Sequence, residues 1–269
     1  MKLQFNIDDL RNFYFLDAEK ISYPNLEFLI KKDPAYDKKF IISEGSDFVI
    51  GVKRKDRGYI KLMHGYNNKL LKQLEQRLRE EKVKEVRVFE SAPRYMFPGV
   101  DPRYTGIYIF FLNNGYKVFD YTFNMFLELT HVYTYQKIQG VDIIRAKASH
   151  HEEVRIFLKK HFPPWEEEVL TSFMYNPPRL VISLQKGRIV GFSAFDTNNP
   201  GVGWFGPMGV NSGLRGKGIG RALLLETLNF MKEVGYKKVI IPWVGPVAFY
   251  YKTVGATINR IFLRMKKML

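Results

Sequence analysis

The pattern of apolar and polar residues predicts two successive series of strands and helices. In the second half, short segments rich in Val, Ile and Phe are bounded by Gly, Pro or Asn, which is typical of strands. These segments are 141–146, 180–196, 201–210 and 237–243. Lys186-Gly187 interrupts the second of them, which predicts a β-hairpin with its turn at that point.

Helical spacing is clearest directly after the strand predicted at 201–210. Residues recur there on one face of a helix, and Gly235 follows in the position where glycine commonly ends a helix. The members of that face are Ile219, Leu223, Thr227, Met231 and Val234. Shorter helices are predicted within 150–162, 163–178 and 246–254, and a strand or hairpin over 256–267.

The first half of the chain repeats this order of elements. Strands are predicted near 39–43, 47–54, 58–63 and 84–90, with paired strands over 116–130. Helices are predicted near 8–16, over 68–82 and over 105–114. We therefore expect an α/β (α+β) fold of two similar domains, 1–135 and 141–269, each a mixed, mostly antiparallel sheet flanked by helices.

Composition agrees with a folded protein and excludes some chemistry. Hydrophobic residues make up 46% of the 269 residues and aromatic residues 15%, enough for a sizeable core. The absence of cysteine excludes disulfides, cysteine nucleophiles and thiolate metal sites. The first residues lack an apolar signal-peptide core, and no apolar run reaches the roughly 18 residues of a membrane span. We expect a cytoplasmic protein without a membrane partner.

The charge suggests an anionic partner. The formal net charge is +15, and residues 141–269 carry the larger share, with 19 basic and 9 acidic side chains against 23 and 18 in residues 1–140. Such a balance favours nucleic acid, a membrane surface or a phosphorylated cofactor. A lysine-rich solvated surface would give the same totals.

The segment "VNSGLRGKGIGRALL" (210–224) narrows the choice among these anionic partners. Gly216, Gly218 and Gly220 alternate just before the predicted helix, which lets several backbone N–H groups converge without obstruction by Cβ atoms. The unpaired N–H groups and positive dipole end of the helix add to the attraction for anions. Arg215, Lys217 and Arg221 supply formal charge. The segment predicts a site for a diphosphate or polyphosphate.

Two common phosphate loops do not fit this segment. A P-loop needs glycine where Asn211 stands and Ser or Thr where Gly218 stands. A dinucleotide fingerprint needs a small residue at position 221, which is arginine, and an acid about 20 residues further on, where the chain has Lys237 and Lys238. A third pattern, R-x-x-G-x-G after a strand, is met by Arg215, Gly218 and Gly220.

That third pattern resembles the acyl-CoA loop of the GNAT superfamily of N-acetyltransferases, and residues 141–269 resemble such a domain throughout. Ser212 stands where the family often has proline. The later segment "YYKTVGA" resembles the family's F-Y-x-x-x-G-F, with Tyr251 on the tyrosine, Gly255 on the glycine and Ala256 departing from the final aromatic residue. The first half resembles a degenerate copy, because "HGYNNKLL" has one glycine and no arginine, and Phe111 stands in place of Tyr251.

The resemblance implies roles for particular residues. Met208, Gly209 and Val210 would line the thioester of acetyl-CoA, and Tyr251 would donate a proton to the departing thiolate. The pyrophosphate would be held by the loop and the start of the helix, which are Arg215, Gly216, Lys217, Gly218, Ile219, Gly220 and Arg221. The protein would then move an acetyl group to a primary amine of a small molecule or a peptide terminus by direct attack. On the residues alone, a core position is the stronger expectation for Tyr251, because aromatic residues at helical spacing usually belong to a core.

Other possibilities stay open. No group stands out as the base, although Asp196, Glu166 to Glu168, His150, His151 and His161 are candidates. Since the strand 201–210 carries no carboxylate, we expect α-amino acceptors to be favoured over lysine side chains. No metal is expected. A nucleic-acid-associated protein would explain the charge, but no nucleic-acid motif supports it. A regulatory protein that binds CoA without turnover is the remaining alternative.

Overall fold

The computed structural model describes residues 28–93 and 95–269. Contacts divide the chain into two compact units: the first contains the described residues up to Phe123 together with Arg260–Leu269, and the second contains Asn124–Asn259. The units therefore change at two places, whereas the order of elements along the sequence predicts a single boundary, between residues 135 and 141. The helix predicted near 8–16 lies outside the described residues.

The elements follow the predicted order closely. The strands are β1 (Ile41–Glu44), β2 (Asp47–Arg54), β3 (Arg57–His64), β4 (Glu85–Val88), β5 (Lys117–Glu128), β6 (Val141–Arg145), β7 (Leu180–Gln185), β8 (Arg188–Phe195), β9 (Phe205–Val210), β10 (Lys238–Val244) and β11 (Thr257–Met268). The helices are α1 (Asn68–Glu80), α2 (Thr105–Asn113), α3 (His151–His161), α4 (Glu166–Leu170), α5 (Ile219–Glu233) and α6 (Val247–Val254).

The first unit is built on a mixed sheet. Strands β1, β2 and β3 form an antiparallel meander, β3 runs parallel to β4, and β4 is antiparallel to β11. Helix α1 turns an apolar stripe of Leu70, Leu71, Leu74 and Leu78 into the core. In β11, Phe262 and Met265 are fully buried in the same core, although they come from the far end of the sequence.

The second unit carries an antiparallel sheet of β6, β7, β8 and β9 in that order. The predicted hairpin is confirmed: β7 and β8 are joined at Lys186-Gly187, where both residues have positive φ, as a tight hairpin turn requires. Helix α5 packs against this sheet through a face that includes Leu223 and Leu228. The predicted fold class, α/β (α+β) with mixed and antiparallel sheets flanked by helices, is confirmed.

Strand β5 departs from the expectation of paired strands over 116–130. It is one strand of twelve residues, of which 117–123 belong to the first unit and 124–128 to the second. Asn124, a residue type that disfavours strands, is fully buried there, and its side-chain oxygen accepts the N–H of Trp243 at 3.0 Å. This hydrogen bond satisfies the side-chain oxygen of Asn124 within a continuous strand. Over 257–268 the chain likewise forms one strand and no hairpin.

No helix among the described residues has both the length and the apolar character needed to cross a bilayer.

Candidate functional site

The loop after β9 holds its glycines in conformations that favour glycine. A 3₁₀ turn, Ser212–Leu214, follows the strand, and the side chain of Asn211 caps it by accepting the N–H of Gly213 at 3.1 Å. Gly216 and Gly218 then adopt φ values of 79° and 84°. Side chains other than glycine rarely adopt this left-handed region. The local backbone therefore favours glycine at positions 216 and 218.

Helix α5 starts without a side-chain cap. Its N-cap residue is Gly218, which has no side chain to accept a hydrogen bond from the first helical N–H groups. The first hydrogen bond of the helix runs from Ala222 N–H to the Gly218 carbonyl at 3.0 Å, so the N–H groups of Ile219, Gly220 and Arg221 precede the first intrahelical bond. Such N–H groups together with the helix dipole attract an anion.

In the first unit, the corresponding helix, α1, has its N-terminus capped by a side chain of the protein itself. The Asn67 side chain accepts the N–H groups of Lys69 and Leu70 at 3.1 and 3.2 Å. Its amide also donates to the carboxylate of Asp47 at 3.1 Å. A Cβ on Gly65 would lie 2.2 Å from that carboxylate. The start of α1 therefore has both a cap and a nearby negative charge, and neither favours a phosphate.

A cleft of about 620 Å³ opens beside the start of α5. Its lining residues are Thr134, Tyr135, Gln136, Lys137, Ile138, Lys217, Gly218, Arg221 and Ala222. The structure thus brings together three of the predicted site residues, Lys217, Gly218 and Arg221. Arg215 instead donates from Nε to the carbonyl of Val210 at 3.4 Å. No site residue was predicted in the segment 134–138, because this polar stretch after a strand has neither helical nor strand periodicity.

The predicted thioester-lining residues lie at the end of β9. Met208, Gly209 and Val210 pair with β8 on one side. On the other side, the only bridge from this part of the chain to β10 among the described residues is Trp204 to Ile240, so β9 and β10 separate beyond that point. Among the described residues, the edge of β9 that faces β10 is therefore unpaired at these three positions, along an opening between the two strands. Met208, Gly209 and Val210 do not line the cleft beside α5.

Aromatic side chains pack closely against Gly209. A Cβ at this glycine would approach the Phe162 ring to 2.7 Å and the Phe192 ring to 2.9 Å. Phe162 stacks on Trp165 with ring centroids 5.6 Å apart and planes 9° apart. Glycine is required here because the aromatic side chains approach the backbone of β9 so closely.

Two adjacent tyrosines on α6 have different environments. Tyr250 is buried against Phe205 and Phe249, with centroid distances of 6.0 and 5.1 Å. Burial raises the pKa of its phenol to about 12. Tyr251 is 61% exposed, and the N–H of Gly255 donates to its carbonyl at 2.9 Å at the end of the helix. Tyr250 therefore occupies the core position that the sequence alone also allowed for Tyr251.

Asp196, a candidate base, is engaged in a buried network. Its carboxylate receives hydrogen bonds from Arg179, from the Tyr236 hydroxyl and from the N–H of Gly203, the last at 3.1 Å. Burial raises the pKa of this carboxyl group, and the hydrogen bond from Tyr236 and the charge of Arg179 oppose that rise. The geometry gives Asp196 a structural role at the end of β8. Arg179 and Tyr236 were not anticipated, since they lie far from Asp196 in sequence.

The other candidate bases have ordinary environments. His150 accepts the N–H of Lys147 at 2.9 Å through Nδ1, and His161 lies against Phe157 with a centroid distance of 5.0 Å. His151 packs edge-on against Phe173. Glu168 is buried, whereas Glu166 and Glu167 reach solvent. Within residues 28–93 and 95–269, no group of three or more His, Asp or Glu side chains could hold a metal ion.

One family model matches part of the chain. Residues 147–255 match the model of the acetyltransferase (GNAT) family. A search of curated proteins finds no match.

Solved structures share the fold over most of the chain. The glucosamine N-acetyltransferase region of a fungal multi-domain β-N-acetylglucosaminidase superposes with a TM-score of 0.77 at 17% identity and covers 97% of this chain. This chain spans only 36% of that protein. An N-acetyltransferase from Sphaerobacter thermophilus gives 0.61 at 16% identity, with 84% and 77% of the two chains covered. A tandem GNAT protein from the clavulanic acid biosynthesis pathway gives 0.57 at 14%, with 85% and 81% covered. At these identities the likeness concerns the fold, and it includes the N-terminal region.

Proposed function

We propose that the protein transfers an acetyl group from acetyl-CoA to a primary amine of a small molecule or a peptide terminus, because residues 147–255 match the model of the acetyltransferase (GNAT) family. The observation that supports this best is the uncapped start of α5 behind Gly216 and Gly218, next to the cations Lys217 and Arg221. The equivalent start of α1 is capped by Asn67. The first unit is therefore proposed to be a degenerate copy without a CoA site.

The loop residues suit the diphosphate of CoA in charge and in hydrogen bonding. Backbone N–H groups from Gly216 to Arg221 would donate to the phosphate oxygens, with Arg215, Lys217 and Arg221 supplying positive charge. A hydrogen bond to a charged group contributes about 1.5–3 kcal/mol. Three or four of them would contribute roughly 5–10 kcal/mol before the cost of ordering the ligand.

The acyl transfer would take place along the open edge of β9. A backbone N–H among Met208, Gly209 and Val210 would polarise the thioester carbonyl, and a neutral amine would attack it directly. The new N–C bond replaces the C–S bond, and Tyr251 would give its phenolic proton to the sulfur. The surplus proton on the attacking nitrogen would leave to solvent, from which the Tyr251 phenolate would regain a proton. An ordinary phenol has a pKa near 10 and a thiol near 8.5, so this transfer requires the sulfur within hydrogen-bonding distance of Tyr251.

The proposed mechanism uses no dedicated base. The strand that lines the opening carries no carboxylate, and Asp196 is held by Arg179 and Tyr236. Deprotonation at pH 7 costs roughly 4–5 kcal/mol for a lysine-type amine with a pKa near 10.4, but only about 1 kcal/mol for an α-amine. We therefore propose that α-amino acceptors react faster than lysine side chains.

A panel of amines with acetyl-CoA, followed by thiol release, tests this function. The panel contains free amino acids, a peptide terminus, the lysine Nε group and glucosamine, the acceptor named for the fungal structure. Gly218→Glu places a carboxylate at the phosphate loop and should abolish both CoA binding and turnover. Gly187→Glu is the matched control, because Gly187 has a similar φ of 72° and open surroundings in a hairpin turn. It should leave both unchanged.

The outcomes separate the alternatives. Absence of CoA binding in the wild type, or a fully active Gly218→Glu variant, would contradict the proposal. CoA binding without turnover on any amine would favour the regulatory alternative. Acetylation of lysine Nε as fast as the best α-amine would contradict a mechanism without a dedicated base.

A further inference from the structure

The cleft beside α5 has two walls of different origin. One wall is the glycine loop and the first turn of α5, with Lys217, Gly218, Arg221 and Ala222. The other is the segment Thr134–Ile138, which comes before the part of the chain that matches the family model. The second wall is thus a feature of this chain outside the matched domain.

The second wall is fixed to α5 and to β6. The N–H of Tyr133 donates to the Asn229 side-chain oxygen at 2.8 Å, and the Asn229 amide donates back to the Tyr133 carbonyl at 2.9 Å. At the other end, the Val141 N–H donates to the Ile138 carbonyl at 3.1 Å. The Ile138 side chain lies 3.9 Å from the position that a Cβ on Gly218 would take. These contacts fix the segment beside the phosphate loop, and Lys137 lines the cleft from this segment.

The charges facing the cleft are positive. Lys137 comes from the second wall, and Lys217 and Arg221 come from the first. The carboxylate of Glu226, one turn further along α5, accepts hydrogen bonds from Arg145 at 3.1 Å and from the Tyr135 hydroxyl at 3.4 Å. None of the described residues that line the cleft is acidic.

Among the described residues, three cationic side chains line the cleft, and one of them, Lys137, does not belong to the phosphate loop. Lys217 and Arg221 lie on the loop wall, where the proposed diphosphate contacts occur, and Lys137 lies across the cleft from them. CoA carries one more phosphate, a monoester on the 3′ carbon of its ribose. A cleft of about 620 Å³ falls within the roughly 300–1,000 Å³ that is usual for ligand pockets, so it has room for a nucleotide.

We propose that Lys137 binds the 3′-phosphate of CoA and thereby distinguishes CoA from 3′-dephospho-CoA. This inference rests on the proposed function, since it assumes that the diphosphate occupies the loop at Gly218. It assigns a specificity role to a residue outside the matched family domain. The interaction is an ion pair between a lysine ammonium and a dianionic phosphate at an accessible site, so its contribution is modest and sensitive to salt.

Calorimetry with CoA and with 3′-dephospho-CoA tests the assignment on the full chain. Lys137→Ala should weaken CoA binding about three- to tenfold and leave 3′-dephospho-CoA binding unchanged. Lys160→Ala is the matched control, because Lys160 is an exposed lysine on α3 that does not line the cleft. It should retain the wild-type preference for CoA. Raising the salt concentration should reduce that preference in the wild type.

Two results would overturn the assignment. Equal weakening for the two ligands in Lys137→Ala would mean that Lys137 acts on the diphosphate or through the structure of the wall. An unchanged CoA affinity would mean that it contacts no phosphate. Failure of the wild type to bind either ligand is a different result, because it would remove the proposed function together with this inference.

Discussion

At the residue scale, Tyr250 and Tyr251 show how two neighbours with the same side chain divide between packing and solvent. Tyr250 lies in the core, with its phenol pKa raised by burial, whereas Tyr251 projects from the same helix with most of its surface exposed. Only an accessible phenol can meet a bound ligand. The proposed proton donor is therefore the second tyrosine, and the first serves as its natural control.

Tyr251→Phe should lower the turnover number about 100-fold, because the departing thiolate loses its proton donor. The affinity for CoA should be unchanged, since the phenol does not contact the diphosphate in the proposed arrangement. Tyr250→Phe should change the turnover number by less than about threefold, because no proton transfer depends on it. Steady-state kinetics and calorimetry on the two variants measure the difference. An unchanged turnover number in Tyr251→Phe would remove its assigned role.

The sequence predicts best those features that depend on residues close together in the chain. Alternating glycines followed by an apolar helix predict bare backbone at a helix start, and the φ values of Gly216 and Gly218 agree. The sequence could not say which aromatic residue of 249–251 faces the core, because an eight-residue helix is too short for periodicity to decide. Nor could it predict the network around Asp196, whose partners Arg179 and Tyr236 lie 17 and 40 residues away.

At the scale of elements, a buried ion pair joins Asp101, which lies shortly before α2, to Arg260 of β11. Arg260 donates from Nε and from its terminal nitrogen to Asp101 Oδ2, at 3.0 and 2.8 Å. Burial alone would raise the pKa of Asp101, but hydrogen bonds from Arg103 and the pair with Arg260 outweigh it and hold the pKa below the ordinary 3.8. Ionised Asp101 is therefore stabilised in the folded state.

Asp101→Asn should lower the free energy of unfolding at pH 7 by about 3 kcal/mol, since Arg260 loses its buried counter-charge. A depressed folded-state pKa gives stability that is present above the unfolded pKa and is lost as the pH falls through the folded one. The difference from wild type should thus shrink below about pH 4. Urea unfolding at pH 7 and pH 3 measures this difference.

Asp120→Asn, which removes an exposed partner of Arg264, is the control and should cost less than about 1 kcal/mol. Equal losses for Asp101→Asn at both pH values would contradict the ionic explanation.

At the scale of the whole molecule, the order of elements along the chain does not give the composition of the two units. Element order alone assigns 256–267 to the second half, because that segment follows α6 directly. In the structure, residues 260–269 belong to the first unit, while 124–128 of β5 belong to the second. Which unit a strand joins depends on pairing between distant segments, such as Lys266 with Arg87. No local pattern encodes such pairing.

The core of the first unit should therefore depend on the last ten residues. Phe262 is fully buried, and its ring lies 6.0 Å from that of Phe97, whereas Ile261, next to it on β11, is 46% exposed. Phe262→Ala should lower the free energy of unfolding by about 3–5 kcal/mol, because it leaves a cavity among large side chains. Ile261→Ala should cost less than about 1 kcal/mol, because its side chain is partly in water already. Urea denaturation of both variants measures the difference.

Limited proteolysis under native conditions should cut Phe262→Ala first within residues 28–123. Initial cleavage within 124–259, or equal stability losses for the two variants, would show that β11 does not stabilise the first unit as its contacts indicate.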